Sequence, residues 1–261
     1  MPPSVEAVVR RDRSIVIAGL FAVAAIAWAY MLYLAWRMES MNMGTGIGME
    51  MAMPQMTVWG PLDLAAIFIM WSVMMVAMMV PSASPMILLF ARMNRKRKER
   101  HDPFVPTTFF LLGYLLVWTG FSATATLSQW GLHRAALLSP MMVATSPLLG
   151  GLLLIAAGMF QWTPLKRACL VHCRSPLHFF MAEWRDRKRG ALRMGLKHGT
   201  YCAGCCWILM ALLFVAGVMN LLWVGIITVF VLVEKVAPRG ELVGRVAGIS
   251  LVLAGIRMAL G

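Results

Sequence analysis

Residues 205–233 read CCWILMALLFVAGVMNLLWVGIITVFVLV, 29 positions without one Asp, Glu, Lys or Arg. As a single helix rising 1.5 Å per residue, this run would be roughly 44 Å long, against a hydrocarbon core of about 30 Å. Gly217 and Asn220 offer a turn in its middle. Two short spans meeting near Gly217 to Asn220 are therefore expected.

Further apolar runs flank it: Ser14 to Trp36, Pro61 to Ala91, Pro103 to Leu127, Ser146 to Trp162 and Val243 to Leu260. All read as helices, since lipid leaves no partner for unpaired backbone groups. The expectation is an all-α polytopic membrane protein of about seven spans, with six as the alternative. Composition agrees. Of 261 residues, 60% are hydrophobic and 13% charged, where a soluble domain is nearer half apolar and a quarter charged. Arg10, Arg11 and Arg13 before the first run resemble a signal-peptide start. That run is too long for one, and its only small-residue site, Ala27-Trp28-Ala29, lies inside it, so an uncleaved first span is expected.

The formal charge of +13 is unevenly placed. Three arginines precede the first run, six basic residues lie in Arg92 to His101 and nine in Leu165 to His198, whereas the alternate loops hold only Arg37 and Arg134. Positive loops stay cytoplasmic. This predicts a cytoplasmic tail at 1–13 and a single membrane domain at 14–261. Within it, 37–60 is expected as an outer loop and 165–201 as a basic cytoplasmic loop. The expected location is a bacterial inner membrane with the N-terminus inside. Because the charge is interleaved with spans rather than gathered on one domain, it reads as topology and anionic-lipid contact, and no nucleic-acid partner is expected.

The second excess is 24 methionines. Seven fall between Arg37 and Gly60, among them Met49, Met51 and Met53 at alternate positions. Thioethers bind Cu(I) well and hard cations poorly, and they need no deprotonation. Next in the chain, Met70, Met74 and Met78 recur at i+4, with Met75 and Met79 on the neighbouring stripe. Residues four apart share a helix face, so thioether ladders run toward Pro81, able to pass Cu(I) by ligand exchange or simply to pack. Asp63 suits a helix cap. Pro81 and Pro85 are expected to kink or unwind the inner end.

All five cysteines lie farther along. Cys169 and Cys173 are one helical turn apart with His172 between them, and Cys202-x-x-Cys205-Cys206 opens the fifth expected span. Both clusters are expected at cytoplasmic membrane ends, where they can meet. Thiolates in this number suit Cu(I), with Zn(II) as the other occupant. His172, His178 and His198 are possible further ligands. The C-x-x-C spacing also fits thiol exchange. No P-loop, G-x-S-x-G, H-E-x-x-H or dinucleotide fingerprint is present, which leaves an ATP-driven pump without support and favours a binder or carrier over an enzyme.

The stretch Met70-Trp71-Ser72-Val73-Met74-Met75-Val76-Ala77-Met78-Met79-Val80-Pro81 carries a resemblance, together with Pro164-Leu165-Lys166, Cys169-Leu170 and Cys173-Arg174. It continues in Gly204-Cys205-Cys206-Trp207-Ile208-Leu209-Met210, Met219-Asn220, Glu234-Lys235 and Pro238. Over about residues 60 to 260 the chain resembles the predicted metal-binding integral membrane protein family, often labelled copper chaperone. The resemblance implies membrane location and metal binding.

The expected function is a Cu(I)-binding membrane protein that collects copper on outer methionines and relays it to cytoplasmic-face cysteines, for transport or chaperone-like delivery. Expected partners are the bilayer and a copper chaperone or cuproenzyme. The alternatives are a thiol-redox membrane enzyme working through Cys202, Cys205 and Cys206, and a non-transporting assembly factor for a membrane cuproenzyme.

Overall fold

The computed structural model describes residues 5–44, 59–99, 105–135, 137 and 146–260. They form helices throughout: α1 (Val5–Gly44), α2 (Pro61–Glu99), α3 (Thr107–Arg134), α4 (Pro147–Phe160), α5 (Pro164–Arg174), α6 (Pro176–Glu183), α7 (Arg187–Ala211), α8 (Leu213–Ala216), α9 (Leu221–Val236) and α10 (Gly240–Leu260).

Five of these elements are long and apolar enough to cross a membrane, or six if the bent pair α4 and α5 is one span. The count of seven is therefore corrected toward its alternative. The break near 217–220 is where the sequence placed it: Gly217 takes φ 93° and Asn220 caps α9, accepting a hydrogen bond from Trp223 N–H. What differs is length. At 16 residues α9 is roughly 24 Å long, short of a full crossing. The other change is at the cysteines. The spanning helix that carries them begins at Arg187, so Cys202, Cys205 and Cys206 lie inside a span rather than at its opening. The stretch 165–201 is itself largely helical, as α5, α6 and the first part of α7.

Helices α2 and α7 are half-buried, whereas α1 and α10 show most of their surface. That surface is apolar, with Phe21, Ile26, Val246, Ile249 and Leu253 all exposed, as a bilayer requires. Helix α1 packs on α2, α3 on α7 and α4 on α10. The last pairing is close because Gly151 and Gly158 face Gly255 and Gly248 with no room for a Cβ.

The expected unwinding of α2 is not seen: it stays helical through Pro81 and Pro85. A proline removes the hydrogen bond to the carbonyl four residues back, and here side chains replace it. The Ala77 carbonyl accepts from Trp28 Nε1 at 3.2 Å, and the Pro81 carbonyl from Ser84 Oγ at 2.7 Å. Asp63 acts as the expected cap, its carboxylate accepting from Gly60 N–H at 2.8 Å.

Candidate metal centre

Helix periodicity sets the site. On α7, His198, Cys202 and Cys206 fall at successive i+4 steps and Cys205 one residue short of the same face. All four are buried. Helix α5 is aimed at this face by the break after α4, a 62° bend closed by Thr163, which caps α5 ahead of Pro164. Consequently α5 packs on α7, with Cys173 half-buried on the side of Cys202 and Cys205. Cys169 packs on Gly204, where its sulfur fills the space a Cβ would need. All five thiols are free.

Around Cys202 the sulfur environment is polar and dry. Lys235 Nζ of α9 donates to Cys202 Sγ at 2.9 Å and lies 3.0 Å from Ser82 Oγ of α2. Tyr114 Oη of α3 is 3.1 Å from Cys202 Sγ and 3.1 Å from the Met79 carbonyl. Cys205 and Cys206 donate their S–H groups to the Cys202 carbonyl at 3.1 and 2.9 Å. Cys206 Sγ also lies 4.0 Å from Met79 Sδ. Three spanning helices, α2, α3 and α7, therefore meet the shorter α9 and α5 at one group of sulfurs and one ammonium.

Beside it sits a second buried ionic group. Glu234, the neighbour of Lys235, pairs with Lys166 of α5 at 2.5 Å, and Lys166 also donates to the Gln161 side-chain oxygen. Charges this far from water need partners; each of these has one.

Of the residues singled out from sequence, the structure gathers Cys173, Cys202, Cys205 and Cys206. Met70, Met74 and Met78 are all buried in the core, but the thioether next to a cysteine is Met79 of the neighbouring stripe. His172 is engaged elsewhere: Nδ1 donates to the Ala168 carbonyl at 2.8 Å and the ring stacks on Tyr201. Met49, Met51 and Met53 lie outside the described residues. Sequence reasoning passed over Lys235, Ser82 and Tyr114. The signal was there in Lys235, an ionisable residue closing an apolar run, since such residues are functional by default.

Among the described residues, no three His, Cys, Asp or Glu side chains stand arranged to hold a metal ion. The donors nonetheless fit a soft cation: three buried thiols, the half-buried Cys173, one thioether and no carboxylate among the sulfurs' hydrogen-bonding partners.

These features define an all-α integral membrane protein with a water-excluded sulfur centre between its helices. A family model described as PpoB2, copper chaperone, matches residues 68–258. The chain belongs to that copper chaperone family, as its motifs led one to expect. No curated protein and no solved structure matches it.

Proposed function

We propose that this protein binds Cu(I) as cargo on the cysteines Cys173, Cys202, Cys205 and Cys206 and hands it on at the cytoplasmic side. The observation that carries the reading is the packing of α5 on the cysteine face of α7, where Cys169 sits against Gly204, with Met79 beside Cys206. Soft sulfurs from separate helices, sealed from water, suit a monovalent copper ion better than any hard cation. Membership of a copper chaperone family supports the metal. Upstream, the methionines of 37–60, including Met49, Met51 and Met53, collect the ion. Met70, Met74 and Met78 then pass it inward, and Met79 delivers it to Cys206. The positive residues of 165–201 keep that end cytoplasmic.

Anaerobic loading with Cu(I) tests the shared site. Cys173→Ser on α5 and Cys202→Ser on α7 should lower bound copper equally; full stoichiometry in either variant rules out a joint centre. Copper flux in proteoliposomes then separates transport from delivery.

The Lys235 ammonium on Cys202 favours one further reading, a thiol-exchange enzyme, because a neighbouring cation makes a cysteine sulfur more nucleophilic. Elemental analysis after anaerobic purification divides the two: a redox enzyme carries no stoichiometric copper.

A further inference from the structure

Three charged residues are buried among those described: Lys166, Glu234 and Lys235. Lys166 and Glu234 neutralise each other at 2.5 Å. One positive charge is left over, and among the described residues its hydrogen-bonding partners are Ser82 Oγ and Cys202 Sγ rather than a carboxylate. The thiols are sorted as well. Cys205 and Cys206 donate their S–H groups to the Cys202 carbonyl, whereas Cys202 Sγ accepts from Lys235, on the side of α7 that α5 packs against.

From this charge count and this sorting we infer that Lys235 is the built-in counter-cation of a two-thiolate copper centre formed by Cys202 and a cysteine of α5. The inference rests on the Cu(I)-binding reading above. Two thiolates and one Cu(I) carry a net charge of −1, and the ammonium of Lys235 makes the assembly neutral. The protons of the two thiols leave to water. Three thiolates would leave −2 against a single ammonium, an uncompensated charge in a low-dielectric interior. Cys205 and Cys206 therefore remain thiols, kept in place by the Cys202 carbonyl. They are next in line to exchange with the bound ion, and Cys206 is the one in contact with Met79.

X-ray absorption of the wild-type protein loaded anaerobically with Cu(I) reads the number of coordinated sulfurs without any mutation. Two is the expected result, and three or four overturn the inference. Competition with a chromophoric Cu(I) chelator reads affinity. Lys235→Met should weaken binding by about tenfold or more, while Lys235→Arg, which keeps the charge, stays near wild type. Wild-type affinity in Lys235→Met sinks the counter-cation role while leaving copper binding itself intact. A wild-type protein that takes up no Cu(I) at all removes the functional reading first and this inference with it.

Discussion

Gly113 of α3 and Gly195 of α7 stand where their helices touch: a Cβ on Gly113 would run into the Leu192 carbonyl, and one on Gly195 into the Phe110 carbonyl. Backbone meets backbone there. Tyr114 follows Gly113 directly, and one and two turns beyond Gly195 come His198 and Cys202, so this contact fixes the separation across which Tyr114 meets the sulfur.

Gly195→Ala should therefore force α3 and α7 apart. Overpacking of this kind costs about 1–3 kcal/mol, and the loss is read as a lower unfolding midpoint in detergent. Gly131→Ala, on the same α3 but with open space around it, should leave the midpoint unchanged or raise it. Equal behaviour of the two variants contradicts the contact.

The buried Lys166–Glu234 pair predicts non-additive mutations. Removing either charge alone strands the other and should cost about 3–5 kcal/mol. Replacing both by leucine should recover most of it. Unfolding of the two single variants and the double variant closes the cycle; additive losses mean that the two side chains do not interact.

On α6, which is not among the spans, Glu183 pairs with Lys197 of α7 at 2.5 Å. The hydrogen bond from Lys197 holds its carboxyl below the usual carboxylate range, with the lysine charge adding to the effect. A lowered folded-state value stabilises the protein above the unfolded carboxylate range and loses that effect as pH falls through the folded value. Water screens the pair, so at most about 1 kcal/mol is at stake. Glu183→Gln should melt slightly below wild type at neutral pH and level with it in acid. A gap that widens on acidification reverses the sign of this argument.

Met74→Leu with Met78→Leu deletes two sulfurs from the α2 stripe while keeping its volume. Such swaps usually cost less than about 1.5 kcal/mol, so insertion and folding should persist. Copper reaching the cysteines should fall if the stripe conducts, as proposed. Unchanged loading returns both residues to packing.

Hydropathy made the helical membrane class readable, and Gly217 with Asn220 marked the break in the longest run. Spacing showed that Cys169, Cys173 and the Cys202 group could approach one another, because i+3 and i+4 positions share a face. Span count was harder. A window of apolar residues cannot tell a 16-residue helix from a full crossing, nor foresee that after the run Ser146 to Trp162 the chain bends straight into a further helix, α5. Pro81 misled for a related reason: its cost is met by Trp28, a residue 49 positions from Ala77 in the chain. Lys235 and Ser82 are 153 positions apart, and no local pattern joins them. The ammonium in the sulfur centre is therefore a product of the tertiary fold.

The shortness of α9 reaches beyond topology. Lys235 is its last residue but one, and it is tied to Ser82 and Cys202 on helices long enough to cross without strain. Any mismatch between protein and lipid is therefore concentrated on α9. Thickening the bilayer draws on the very helix that holds the ammonium against the thiol. Acyl-chain length thereby becomes an input to the sulfur centre, and the surrounding lipid helps set how firmly that centre is closed.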